Sequence, residues 1–249
     1  VIVGNGLLAN AFAPYFGNST DIVIFASGVS NSQETRQEAF EREHELLRRL
    51  LANDTTRLVY FGSCGVATAE SDLTAYMRHK KRMESIVLTS RLGLVLRLPQ
   101  VVGRTSNRHT LTNFLHDSIT AGKHFTVWRH AERNLIDVDD IARIGAALAV
   151  EMTGSTRAIS IAAEKSLPMV DIVNIFEHVL GKKANYSVVD KGASMSIDTS
   201  TIREISARLG ISLGDGYVEN VISKYYSPDR FPVDDSSVRL TSSATKATE

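Results

Sequence analysis

Four short, nearly uninterrupted apolar runs punctuate the first part of the chain, at Val1–Val3, Asp21–Ala26, Arg57–Gly62 and Leu92–Leu98. Runs of that kind suit strands buried on both faces. Between them lie longer amphipathic stretches, Gly6–Tyr15, Gln33–Leu51 and Leu73–Arg91, that read as helices. This alternation leaves few folds open, because parallel strands need crossover connections and helices both supply them and cover the sheet. The expectation is an α/β protein built on a Rossmann-type parallel sheet. In the second helix Phe40, Leu46, Leu47, Leu50 and Leu51 fall on one stripe, and the charges Glu41-Arg42-Glu43-His44-Glu45 and Arg48-Arg49 read as its solvated face.

After Pro99 the rhythm changes. A loop rich in Gly, Arg, Ser and Asn leads to a helix near Thr110–Ala121, a strand at His124–Trp128 and a second apolar run at Leu135–Val138. Asp139 and Asp140 then open a helix at Ile141–Met152. Beyond it we expect a strand at Ala158–Ala162, a helix at Met169–Leu180, a strand at Tyr186–Val189 and helices at Ser200–Leu209 and Tyr217–Tyr226. The expected division is a dinucleotide-binding core of residues 1–103 with 137–163, and a smaller C-terminal substrate lobe of 104–136 with 164–226. From Ser227 the sequence turns polar, and 227–249 reads as a disordered tail.

At 249 residues and 43% hydrophobic composition the chain can bury a full core. Its 28 basic and 28 acidic side chains cancel, so its overall field favours neither nucleic acid nor an anionic membrane as partner. The single cysteine, Cys64, excludes an internal disulfide. No run reaches the about 18 apolar residues of a membrane span, and no signal peptide precedes the first strand, so a cytoplasmic protein is expected.

The first strand runs straight into Gly4-Asn5-Gly6-Leu7-Leu8-Ala9, a G-x-G-x-x-A turn that opens a helix. Glycines there let the backbone approach a pyrophosphate, whose charge sits on the exposed N–H groups of the helix N-terminus. NAD or NADP is the implied cofactor. The acidic residue that usually ends the next strand and binds the adenosine ribose is missing, because the following strand, with Phe25-Ala26-Ser27-Gly28-Val29, looks like the fourth strand of the usual order. The second and third strands are expected to be absent, leaving a truncated sheet.

Strand Arg57–Gly62 delivers Ser63 at its C-terminal end, the edge at which open parallel sheets bind ligands. Tyr76-Met77-Arg78-His79-Lys80 follows within a long helix, with Tyr76 and Lys80 on one face. A phenol is a poor acid or base at neutral pH, but an adjacent ammonium favours its phenolate. Lys80 can play that part while hydrogen-bonding the nicotinamide ribose, and Ser63 can hold the substrate oxygen. Ser63, Tyr76 and Lys80 are the expected catalytic group. A Tyr and a Lys at this spacing also arise by chance on exposed helices.

With these residues in place the sequence resembles the extended short-chain dehydrogenases/reductases, the NAD-dependent epimerase/dehydratase family that modifies sugar nucleotides. The likeness covers roughly residues 1–190 and includes Leu96-Arg97-Leu98-Pro99 and Arg133-Asn134-Leu135-Ile136-Asp137-Val138-Asp139-Asp140. It implies that Gly4, Asn5, Gly6, Leu7, Leu8, Ala26, Ser27, Gly28, Gly62, Tyr76, Lys80, Pro99 and Val101 line the cofactor. It also implies that Arg133 grips a diphosphate, a task for which a forked guanidinium is suited, with Ser63 and Gln100 on the substrate. The implied partner is a nucleotide-sugar substrate, and the implied assembly a homodimer. The interval from Ser63 to Tyr76 is shorter than the family's, and the family's helix-borne asparagine has no counterpart, although Glu43 lies near its position. Cys64 and Gly65 stand where the dehydratases carry an acidic pair, which leaves 4-keto reduction or epimerisation, as in surface-polysaccharide or deoxysugar synthesis.

Cys64 reads as a small buried thiol more readily than as a second catalytic group. His109, His116, His124 and His130 have no metal-ligand spacing, so no metal is expected. Trp128 could line the substrate base or cap the second lobe. Two other readings stay open: a non-catalytic dinucleotide sensor, and a reductase of a small carbonyl compound.

Overall fold

A computed structural model describes residues 1–52, 56–151 and 156–228. Along the chain, β1 (Ile2–Val3), α1 (Leu7–Phe16), β2 (Ile22–Phe25), α2 (Gln37–Leu51), β3 (Arg57–Ser63), α3 (Ala75–Thr89) and β4 (Gly93–Leu98) form the N-terminal half. They are followed by β5 (Gln100–Val102), α4 (Leu111–Thr120), β6 (Phe125–Trp128), β7 (Glu132–Arg133), β8 (Leu135–Asp137), α5 (Val138–Glu151) and β9 (Arg157–Ser160). The chain continues with β10 (Leu167–Pro168), α6 (Met169–Leu180), β11 (Tyr186–Val189), α7 (Ser200–Arg208) and α8 (Tyr217–Tyr226).

The main sheet is parallel throughout, in the order β1-β2-β3-β4-β9. It is a Rossmann-like sheet in which β1 forms an edge, because the strand after α1 pairs on the inner side of β1 and, among the described residues, nothing pairs on the other. The expected truncation is therefore present. Side chains alternate as the strand period demands. Leu58, Tyr60, Val23, Phe25 and Val95 pack with Leu47, Met83 and Val87 of α2 and α3. Val59, Phe61, Ile24, Leu94 and Leu96 face the other way, onto Phe12 of α1 and Ile141 and Ile144 of α5. That second cluster continues without a break to Phe176 of α6 and Tyr226 of α8.

Three two-stranded pairings join the remaining strands: β5 with β8 and β6 with β11, both parallel, and β7 with β10, antiparallel. β5, β7 and β10 hold three residues or fewer, too short to show a sequence period. Asn134 links β8 to the segment after β9, its amide giving a hydrogen bond to Ala163 O and taking one from Ala163 N–H, both at 2.9 Å. Asp137 pins α8 by accepting from Lys224 at 2.6 Å and Tyr225 at 2.7 Å, while Tyr217 donates to Asp140 at 2.8 Å. Much of the Arg133–Asp140 motif thus serves to fasten the C-terminal helix.

Two sequence expectations need correction. α2 starts at Gln37 rather than Gln33, because the Glu34 carboxylate accepts the Thr35 and Arg36 backbone N–H groups and holds a turn ahead of the helix. Glu43, placed on the solvated face, is wholly buried. It follows Phe40 by three residues and precedes Leu47 by four, which sets it on the buried stripe. The expected disordered tail lies, from residue 229 onward, outside the described residues. Among the described residues no helix is long and apolar enough to cross a membrane.

Candidate functional site

The C-terminal edge of the sheet gathers the predicted residues from three strand ends. At the first, Gly4 adopts φ +127°, and a Cβ there would lie 2.4 Å from the Ala26 carbonyl oxygen. Only glycine fits both conditions. The close approach sets Gly4 against Ala26 and Ser27, just past the end of β2. Gly6 caps α1 in an extended conformation, with no side chain bonding the first-turn N–H groups. A Cβ on Gly6 would meet nothing within 4 Å. Uncapped helix N–H groups facing open space suit a phosphate. The turn therefore fits the pyrophosphate of a dinucleotide. An open cleft of about 360 Å³ beside it is lined by residues including Leu7, Asn10, Arg104 and Lys224, but neither Ser63 nor Tyr76 lines it.

At the second strand end, Ser63 closes β3 and its Oγ accepts the Gly65 N–H at 3.2 Å. Thr74 caps α3, its hydroxyl accepting from Met77 N–H, and the helix carries Tyr76 back over the strand end. Tyr76 sits within reach of Ser63, whose side chain acts on its phenol. Burial, seconded by the charge of Glu43, pushes the Tyr76 phenol up to about 12, with Ser63 pulling the other way. We expected Lys80 to act on that phenol, but its ammonium is held chiefly elsewhere. Lys80 Nζ sits 6.0 Å from the Tyr76 ring centre. It is committed instead to Glu43 Oε1 and Tyr60 Oη, each at 3.1 Å, and to the Phe61 carbonyl at 3.4 Å.

Glu43 is the hub of this arrangement. Its carboxylate accepts from Val29 N–H at 2.6 Å, Tyr60 O–H at 2.7 Å, His79 Nε2 at 3.0 Å and Lys80. Burial alone would raise its pKa, but these donors overcome that and leave the group at about 2. Burial pulls the Lys80 ammonium below its ordinary value while Glu43 opposes the pull. The Phe40 ring stacks on His79 at 4.5 Å and fixes it toward Glu43. Gly28 closes the network from above, since a Cβ there would lie 2.7 Å from both Glu43 Oε1 and Lys80 Nζ. Glu43 drew notice in the sequence only for its position near the family's asparagine. Tyr60 and His79 were not singled out, and their one signal is strand and helix phase.

The third strand end holds Pro99, Gln100 and Val101. Gln100 N–H donates to the Asn134 carbonyl at 3.0 Å, so β5 is tied beside the residue following Arg133. Arg133 is half-buried in β7, and burial lowers the pKa of its guanidinium, which donates to Glu132 O at 2.7 Å. Arg42 donates to the Ser27 carbonyl at 3.2 Å. Gly62 lies over Val95 and Glu84, and Glu84 in turn pairs with Arg97. Cys64 is buried, and burial pushes its thiol up to about 12, which leaves it a poor nucleophile. Trp128 stays half-exposed on β6.

No protein-family model matches the sequence, and no curated protein matches it in sequence. Solved structures share its fold. The chain is similar to dTDP-glucose 4,6-dehydratase from Bacillus anthracis in complex with NAD, with a TM-score of 0.66 and 14% identity over 90% of this chain and 78% of that one. It is similar to a Thermus thermophilus UDP-glucose 4-epimerase complexed with NAD, with a TM-score of 0.65 and 13% identity over 92% and 84%. A Bacillus cereus UDP-N-acetylglucosamine 4-epimerase matches with a TM-score of 0.64 and 17% identity over 90% and 93%. At these identities the likeness shows a common fold.

Proposed function

We propose that this chain is an NAD(P)-dependent oxidoreductase or epimerase acting on a nucleotide-linked sugar, by 4-keto reduction or epimerisation. The observation that carries the reading is the position of the open Gly4–Leu8 turn and the Ser63–Tyr76 pair at one edge of one parallel sheet. The fold neighbours, solved with NAD or named for nucleotide sugars, lend support.

In this reading Gly4, Asn5, Gly6, Leu7 and Leu8 hold the pyrophosphate, and Ala26, Ser27, Gly28, Gly62, Pro99 and Val101 flank the rest of the dinucleotide. When bound, the nicotinamide supplies or accepts a hydride. Ser63 orients the substrate oxygen and Tyr76 exchanges its proton, with Lys80 held beneath them. Arg133 meets the diphosphate of the substrate, Gln100 lies beside it, and the lobe of 104–136 with 164–226 encloses the sugar. We further propose a cytoplasmic homodimer.

Tyr76→Phe is the direct test, because it removes the transferable proton and keeps nearly all the packing. Turnover of 4-keto and 4-hydroxy nucleotide sugars, followed by absorbance and product chromatography, is expected to fall by about 10²–10⁴ with dinucleotide affinity intact. Unchanged turnover in the variant would overturn the mechanism, and binding without turnover by the wild type across the panel would favour a sensor.

A further inference from the structure

A Tyr–Lys pair can serve proton transfer in either direction, and what else holds the lysine sets how strongly it acts on the phenol. A bare ammonium beside a phenol stabilises phenolate, a base suited to taking a proton from an alcohol. An ammonium locked to a carboxylate is, seen from the phenol, one end of a short dipole.

We propose that Glu43 is a positioning residue for Tyr76 and Lys80: by locking the Lys80 ammonium in a closed ion pair it takes from Tyr76 much of the pull of a bare ammonium, so that the resting site holds the proton a carbonyl reduction consumes. The inference rests on the oxidoreductase reading above and names the proton state from which it starts.

Three observations bear it. The ammonium lies 3.1 Å from Glu43 Oε1 but 6.0 Å from the Tyr76 ring centre. At about 6 Å and an effective dielectric of about 20, a lone positive charge would lower the phenol by about two pH units. The charge of Glu43 raises the phenol and so opposes that effect. Second, Glu43 has no freedom to leave. It is wholly buried, its two oxygens serve Val29, Tyr60, His79 and Lys80, and Gly28 packs against the pair with no room for a Cβ.

Third, among the described residues the basic groups packed around this network are held by carboxylates, and Arg78 of the same helix is turned to the Leu73 carbonyl. Ser63 and Tyr60 face it from β3, and Glu43 from α2. Lys80, His79 and Glu84 share its helix, and Arg97 of β4 is bound to Glu84 through two contacts from Nε at 3.0 and 3.1 Å and one from Nη2. Each basic group among them is paired with a carboxylate: Lys80 and His79 with Glu43, Arg97 with Glu84. The phenol pushed up to about 12 agrees with this.

The step balances with a reduced nicotinamide as reductant. Hydride adds to the carbonyl carbon, the π pair moves to oxygen, and the Tyr76 O–H bond breaks to protonate that oxygen. The carbonyl is reduced and the nicotinamide oxidised. The phenolate left behind is reprotonated from solvent.

The test reads the phenol rather than turnover. Full-length protein labelled with ¹³Cζ-tyrosine is titrated without cofactor, with the Tyr76 resonance assigned from Tyr76→Phe. In wild type the midpoint is expected above about 10, the ordinary tyrosine value. Glu43→Gln keeps the shape and removes the charge, so the midpoint is expected to drop by roughly one pH unit or more, a tenfold change. A folded Glu43→Gln protein whose Tyr76 midpoint stays within a few tenths of wild type overturns the proposal. Should that variant not fold, the wild type decides: a midpoint below about 10 overturns the proposal and a higher one supports it. A chain that turns over no nucleotide sugar but shows the expected shift loses the substrate reading and keeps the role of Glu43.

Discussion

Gly6→Asp separates the cofactor turn from ordinary helix capping, because the two roles predict opposite effects of one substitution. Gly6 sits at the N-cap of α1 with φ −85°, a conformation open to any residue, and open space lies where a side chain would project. In the cofactor-free protein Asp is a better cap than glycine and places a negative charge at the positive end of the helix. A gain of about 0.3–1 kcal/mol is expected, or roughly 1–4 °C in Tm. Its carboxylate would occupy the N–H groups offered to a pyrophosphate and repel that group's charge. At about 4 Å and an effective dielectric of about 20 the repulsion is about 4 kcal/mol, a loss of roughly a thousandfold in affinity. Thermal unfolding of the apo protein and fluorescence titration with NADH and NADPH measure the two halves. A variant as stable as wild type that binds either dinucleotide equally well would remove the turn from the cofactor site. A variant that loses many degrees would mean the space above Gly6 is filled.

Gly4→Ala should act in the other way, through stability: a positive φ and a contact 2.4 Å from the Ala26 backbone oxygen together cost roughly 2–6 kcal/mol, readable by urea unfolding. A loss under about 1 kcal/mol would show that the turn relaxes freely. Because β1 is an edge and, among the described residues, no strand stands beyond it to carry an adenosine-binding carboxylate, NADH and NADPH should differ in Kd by less than roughly a hundredfold, about 2.7 kcal/mol. A larger preference would require a specific 2′-site elsewhere on the surface.

The network around Glu43 shows how stability and chemistry share residues at this edge. A buried carboxylate and ammonium are tolerated because each keeps several hydrogen bonds, and removing one partner would strand the other. Gly28 serves the same end by leaving space, since its missing Cβ is what lets the segment after β2 pass over the pair. The Asn134–Asp140 segment is similar in kind. Its carboxylates bind Tyr217, Lys224 and Tyr225, so residues that resemble a family signature also hold α8 in place.

Local pattern alone determined most of the architecture. Continuous apolar runs mark strands buried on both faces, helix-period stripes mark their covers, and the short interval between Gly6 and Asp21 already excludes two strands from the sheet. The glycine turn and the placement of Ser63, Tyr76 and Lys80 at one edge of the sheet were legible for the same reason, because each depends on spacing within one element or at one strand end. What Lys80 touches was decided only in three dimensions. Glu43 reaches it from α2, Tyr60 from β3 and Gly28 from the end of β2, and no periodicity couples those segments. The state of a buried charge depends on every donor that converges on it, and convergence is a property of the folded chain. For that reason the sequence pointed to Lys80 as the activator of Tyr76, whereas the tertiary structure gives the lysine to Glu43.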